Sequence, residues 1–177
     1  MPLVKRGTIV ADEFIALADD APAPDKGAVI VSAARFIAEP EVWLGRAAPL
    51  GVAWPNDRDV TELVPYLSRL ALIALVFPKF RDGRAYTQAR LLRERHGYRG
   101  QLRATGQVLR DQFLFMQRAG FDAFDVVKAS DAEAFAATVA RYSVFYAPTG
   151  DGRITVFRAR LMAAARPAAV AAGRSGS

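Results

Sequence analysis

Ala71-Leu72-Ile73-Ala74-Leu75-Val76-Phe77 is the stretch that decides the fold. Seven apolar residues stand in a row with no polar alternation, and Pro78 closes the run. A strand that is wet on one face alternates. A strand covered on both faces does not, which is the mark of a parallel sheet. The residues that follow change period. Arg84 to His96 carries Tyr86, Ala89, Leu91 and Leu92 as an apolar stripe among arginines, and Gly97 stops it. A buried strand feeding an amphipathic helix is half of a βαβ unit.

The same rhythm extends in both directions. Upstream, Gly27 to Val31 and Leu50 to Trp54 read as strands. Ser32 is placed to cap a helix that Gly45 ends, and Asp59 to Arg69 reads as a helix with Pro65 in its middle. Downstream, Gly100 to Ala104 reads as a strand, Gln107 to Ala119 as a helix closed by Gly120, and Phe121 to Val127 as a strand. Ser130 and Glu133 have capping-box spacing and open a helix to Arg141. Tyr142 to Tyr146 is a last candidate strand and Asp151 to Ala165 a final helix. Residues 1–26 form a lead-in, with one short edge strand over Val4 to Val10 and a Pro/Asp loop over 19–25. Residues 27–166 form a single α/β domain, and 167–177 a flexible tail of Ala, Gly and Ser. The expected architecture is an α/β three-layer sandwich with a mainly parallel sheet of five or six strands. A truncated βα barrel is the alternative, because a closed eight-stranded βα barrel needs about 200 residues or more. Strand order and oligomeric state are not written in the periodicity.

The chain has 177 residues, 52% of them hydrophobic and 24% charged, enough for one core without covalent staples. It has no cysteine, so disulfides, Cys-held clusters and a thiol nucleophile in this chain are excluded, and a cytoplasmic location is expected. The run Ala71 to Phe77 is far short of the roughly 20 residues of a spanning helix. The opening MPLVKRGTIVADEF has no apolar stretch of signal-peptide length. Net charge is +6, and ten basic residues against three acidic ones fall between Lys79 and Arg118, so the remainder is close to neutral. Such a field attracts an anionic ligand or an acidic partner. Nucleic acid ranks last, because no RNA- or DNA-binding motif accompanies the charge.

In parallel sheets ligands gather beyond the carboxyl ends of strands. Three loops answer to that position: 55–59, 78–84 and 103–107. The last two place arginines beside glycines ahead of a helix, and Arg84 and Arg103 together suggest a bidentate clamp on a carboxylate, sulfate or phosphate. The candidate anion or partner site comprises Lys79, Arg81, Asp82, Arg84, Arg103, Thr105, Arg110 and Asp111. No catalytic residue can be assigned. The single histidine, His96, reads as a helix-end residue. Asp111, Asp122 and Asp125 lack metal-ligand spacing, so no metal site is expected. Phe113, Phe115, Phe121 and Phe124 read as core rather than a stacking platform. Neither a Gly-x-Gly-x-x-Gly fingerprint nor a Walker-type loop is present, so no cofactor is visible.

Five ordered segments carry a resemblance: 77–86 (FPKFRDGRAY), 89–93 (ARLLR), 100–106 (GQLRATG), 108–112 (VLRDQ) and 118–124 (RAGFDAF). Together they resemble the bacterial family known as domain of unknown function 934, most strongly over roughly residues 70–127. Members of that family carry the label of oxidoreductases involved in sulfite reduction, largely because their genes lie beside those for sulfite reductase and phosphoadenylyl-sulfate reductase. The chain departs from the family pattern at Gln101, where an acidic residue is common, at Gln107, where aspartate is common, and at Ala119, where cysteine is common. The last departure argues against a thiol-based redox role. The resemblance implies an accessory protein of assimilatory sulfite reduction that docks on the reductase or its electron donor. The alternative is a sulfur-pathway enzyme that binds sulfate, sulfite or a phosphorylated nucleotide at the Arg84/Arg103 loops. A βα domain unrelated to sulfur is the third reading.

Overall fold

The computed structural model describes residues 2–5, 8–79, 81–128, 130–134 and 160–162. Eight strands are present among them: β1 (Leu3–Lys5), β2 (Thr8–Val10), β3 (Phe14–Ala16), β4 (Ala28–Ser32), β5 (Leu50–Trp54), β6 (Leu72–Phe77), β7 (Gln101–Gly106) and β8 (Ala123–Asp125). They make one sheet in the order β2-β1-β8-β7-β6-β5-β4-β3. From β3 to β8 every neighbouring pair is parallel, while β1 runs antiparallel to both β8 and β2. The α/β class and the mainly parallel sheet are as the periodicity predicts. The strand number is not: there are eight strands, not five or six. The excess comes from the lead-in, which holds three strands: the single edge strand expected over Val4 to Val10 is a hairpin, β1 and β2, followed by β3.

The strand order has a physical consequence. β3 to β8 succeed one another in sequence order across the sheet, and right-handed crossovers then carry every connection over the same face. That face is the apolar one. Val29 and Val31, Val52 and Trp54, Ile73, Leu75 and Phe77, Leu102 and Ala104, and Phe124 form a single buried cluster. Phe36, Trp43, Leu63, Ala89, Leu92, Phe113 and Met116 from the connecting segments complete it. The other face is not covered by a second helix layer among the described residues. Val10 ends the strand at one edge of the sheet and Phe14 begins the strand at the opposite edge. Four Cα steps span at most about 15 Å. The two edges therefore come together and the sheet curls, closer to the truncated barrel than to the sandwich. The curl explains the unbroken apolarity of β6. Its Leu72 and Ala74 meet Ile30, Phe14 and Ala53 inside the curve, while Ile73, Leu75 and Phe77 meet the helices outside.

The connecting helices are shorter than the periodicity suggests. α1 (Ala33–Ala38) begins at Ser32, whose side chain accepts a hydrogen bond from the Arg35 amide at 3.3 Å, as its sequence position predicts. α2 (Pro40–Leu44) follows after a break, because Pro40 has no N–H to continue the ladder and suits the first turn of a new helix. Residues Val60–Tyr66 form a 3₁₀ helix around Pro65, capped by Asp59. α3 (Arg84–Arg90) passes into a π-type turn over Leu91–Arg95. A 3₁₀ turn over Arg110–Gln112 leads into α4 (Phe113–Ala119). Residues 130–134 are helical, so the start expected at Ser130 is present. The rest of that expected helix, the strand at 142–146, the body of the helix at 151–165 and the tail lie outside the described residues.

One arginine ties the helix layer to the sheet. Arg93, in the π-type turn, donates through Nε to the Gly120 carbonyl (2.9 Å) and through Nη1 to the carbonyls of Tyr98 (2.7 Å) and Gly100 (2.9 Å). Its Nη2 donates to Asp122 Oδ2 (3.1 Å), and Asp122 Oδ1 accepts from the Leu102 amide (2.9 Å). Gly120 leaves α4 at φ +108°, and a Cβ built there would lie 2.4 Å from Arg93 Cγ. Gly120→Ala combines a left-handed backbone with a clash and should lower unfolding free energy by about 2 kcal/mol or more in urea titrations. A change below about 0.5 kcal/mol would contradict this account of the corner.

Candidate functional site

Inside the curve the sheet is polar along one side. Successive residues of a strand point to opposite faces, so Leu102 and Ala104 face the helices while Gln101, Arg103 and Thr105 face inward. Arg103 is 2% exposed, one of few charged residues buried among the described ones. A guanidinium so placed must be paired. Its partner comes from the lead-in. Asp12 accepts from Nη1 at 2.7 Å and from Nη2 at 2.8 Å, a two-pronged pair across 91 residues of chain. Asp125 of β8 lies 3.6 Å from Nη1, and Thr105 works to lower the Asp125 carboxyl. The Phe14 ring lies 6.0 Å below the guanidinium carbon.

A cleft of about 230 Å³ opens beside this group, lined by Leu3, Lys5, Val10 to Phe14, Gln101 and Arg103. Lys5 reaches Gln101 Oε1 at 3.2 Å. An ammonium can only donate, which fixes the Gln101 amide with its oxygen towards Lys5 and its nitrogen turned away. That nitrogen, Gln101 Nε2, is buried and makes no hydrogen bond, and neither does Arg103 Nε. Two of the residues that line the cleft thus each carry a buried donor without an acceptor, and Lys5 adds an ammonium.

Electrostatics follow from the same geometry. Burial works to raise the Asp12 carboxyl, but the hydrogen bonds from Arg103 and the Phe14 amide outweigh it and leave it below its ordinary value. Asp125 shifts the other way: burial raises it, and Arg103 and Thr105 only partly offset that. The two carboxylates of one arginine thus differ, the outer one firmly ionised and the inner one easier to protonate.

The eight residues predicted from sequence separate into two places. Arg103 and Thr105 belong to the inner face, inside β7 rather than in the loop expected at 103–107. The strand runs on to Gly106, whose φ of +88° makes the turn. The other six lie on connections at the far end of the strands. Asp82 accepts from Arg84 Nε (2.9 Å) and Nη2 (2.7 Å), and this contact, chiefly, holds its carboxyl far below the usual range. Lys79 and Arg81 are exposed on the same loop, and Arg110 and Asp111 on the 3₁₀ turn before α4. The 55–59 and 78–84 loops do meet. Gln88 of α3 donates to the carbonyls of Pro55 (3.1 Å) and Arg58 (2.8 Å), and Asn56 helps to lower Asp82. Tyr86 lies under this end; burial, with Asp111 nearby, pushes its hydroxyl up to about 12. Arg84 and Arg103 form no joint clamp, because each grips its own carboxylate and they sit on opposite sides of the sheet.

Asp111, Asp122 and Asp125 are likewise dispersed, on the 3₁₀ turn, at Arg93 and at Arg103. Phe113, Phe121 and Phe124 are buried as expected of core residues, but Phe115 is 67% exposed. Sequence reasoning does not single out Lys5 or Asp12, and it marks Gln101 as a departure from the family pattern but not as a site residue. The signal for Asp12 is indirect: an arginine at an inward position of a buried strand requires a carboxylate, and Asp12 and Glu13 are the acidic residues nearest the strands of the lead-in.

Curled sheet and inner cleft together define a βα-repeat protein with a charged interior on one side. A family model described as "Bacterial protein of unknown function (DUF934)" matches residues 51–157, more than half of the chain. The chain belongs to that family. No curated protein and no solved structure matches it significantly. No helix among the described residues is long and apolar enough to cross a membrane.

The Asp12 carboxyl makes a testable statement about pH. A carboxyl lowered by folding contributes stability that is complete above its ordinary value of 3.8 and is lost as pH falls through the lowered value. The Tm advantage of wild type over Asp12→Asn should therefore hold from about pH 7 to about pH 5 and shrink towards about pH 2. An advantage that grows on acidification would contradict the pairing.

Proposed function

We propose that this protein binds a small anion in the inner-face cleft, with Lys5, Gln101 and Arg103 as its donors. The observation that carries the reading is that Arg103 and Gln101, two residues lining the cleft beside Lys5, each keep a buried, unbonded donor, Nε and Nε2. Each unsatisfied donor costs about 1–3 kcal/mol, a cost that an acceptor in the cleft would remove. Two cationic side chains favour a charged acceptor over a neutral one. The volume suits sulfate, sulfite, phosphate or a short carboxylate. It is below the range of about 300–1,000 Å³ typical of larger ligands, which disfavours a phosphorylated nucleotide. The family resemblance makes sulfite and sulfate the first anions to try.

Calorimetric titration with sulfite, sulfate, phosphate and acetate tests the reading. At least one should saturate. Lys5→Met should weaken it about tenfold or more through loss of a charge-assisted bond, with Tm nearly unchanged. Arg84→Ala should leave it alone. No saturable binding, or binding lost only in Arg84→Ala, would contradict the proposal.

The accessory reading, docking on sulfite reductase or its electron donor, draws support from a different surface. Leu109 (40% exposed) precedes the exposed Arg110, and Phe115 (67%) is exposed on α4 just after that turn, an apolar and basic combination suited to an acidic partner. Under that reading the chain co-elutes with purified sulfite reductase or its electron donor, and Phe115→Ser with Arg110→Glu abolishes the complex. Separate elution from both would rule it out.

A further inference from the structure

We infer that Asp12 is a built-in stand-in for the ligand, so that the anion enters by exchange with this carboxylate. The inference rests on the anion-binding reading and adds how the site is filled and which anion it prefers.

Four observations support exchange. First, Asp12 uses the outer edge of the guanidinium, Nη1 and Nη2, in the two-oxygen geometry that any carboxylate or oxyanion would take there. Second, it is held lightly by its own chain. It sits in the three-residue connection between β2 and β3, and its other bond is a local one, accepting from the Phe14 amide at 3.1 Å. Its side chain is 32% exposed whereas that of Arg103 is 3% exposed, so the carboxylate lies at the mouth and the guanidinium at the floor. Third, Arg103 does not lose all compensation when Asp12 leaves. Asp125 remains 3.6 Å from Nη1, carried by strand β8. Fourth, Asp12 leaves part of the site unused: Arg103 Nε and Gln101 Nε2 make no bond while it is in place.

The last point selects the ligand. A carboxylate has two oxygens, and Asp12 already supplies two without reaching Nε. An anion with three or four oxygens fills the guanidinium edge and still has an oxygen to offer to Gln101 or Lys5. Pyramidal or tetrahedral oxyanions, the class that includes sulfite, sulfate and phosphate, therefore have the advantage over acetate. The intramolecular carboxylate competes at a high effective concentration, so affinity in the wild type is held down by the fraction of time the seat is empty.

Titration of Asp12→Asn against wild type, with sulfite, sulfate and acetate as probes, tests the exchange. The variant should bind the oxyanions roughly ten- to a hundredfold tighter, and oxyanions should exceed acetate in both proteins. Hydrogen exchange on wild type supplies a readout independent of any variant: saturating oxyanion should speed exchange at the Phe14 amide about fivefold or more as the Asp12 bond is released. Equal affinity in wild type and Asp12→Asn, weaker binding by the variant, or unchanged exchange at Phe14 on saturation would each overturn the exchange while leaving the anion site standing. Absence of saturable binding in both proteins would remove the anion site itself, and the exchange with it.

Discussion

A guanidinium placed on the inner face of a central parallel strand governs this structure. Arg103 points away from the helix layer into the curve of the sheet, where water is scarce, and it cannot stay there uncompensated. The compensation comes from both sides. Asp125 is supplied by the neighbouring strand β8, and Asp12 by the connection that joins the opposite edges of the sheet. The same ion pair that neutralises Arg103 therefore holds the lead-in across the open side of the sheet. Replacing one partner of such a pair leaves the other buried and charged, which is more damaging than the net worth of the pair.

Comparison of two arginines separates structural work from a site. Arg93 is nearly as enclosed, yet every nitrogen of its guanidinium is used, by three carbonyls and one carboxylate. Four of its five N–H groups are bonded, and Gly120 is packed so closely that a methyl group would not fit. Arg103 has Nε unused, with a cleft beside it and the spare Gln101 amide close by. A guanidinium with every nitrogen bonded identifies a rivet, and one with a buried nitrogen unbonded next to a cavity identifies a binding group.

The repeat was legible because its signals are local. The bounds of β5 are those read from the apolar run, β6 begins one residue later than its run, and Ser32 caps α1 from the position its side chain predicts. The lead-in was not legible. β1, β2 and β3 have three residues each, too few to show a period, and their strand state depends on partners far away in sequence. The site failed for the same reason. Arg84 and Arg103 look alike as basic residues beside glycine turns, but one finds its carboxylate two residues away and the other 91 residues away. Four of the ten basic residues of the segment are paired within the protein, Arg84 with Asp82, Arg90 with Glu94, Arg93 with Asp122 and Arg103 with Asp12, the last two by carboxylates from outside the segment. Its formal excess of charge overstates the field it presents.

The central claim is that Arg103 and Asp12 act as one unit joining β7 to the seam of the curled sheet. A double-mutant cycle on unfolding free energy, with Arg103→Met, Asp12→Asn and the combination, measures it directly. Coupling of about 1–3 kcal/mol is predicted, since the charge left behind by either single change is what makes each costly. Additivity within about 0.5 kcal/mol would show that the two side chains do not depend on each other, and would contradict the account.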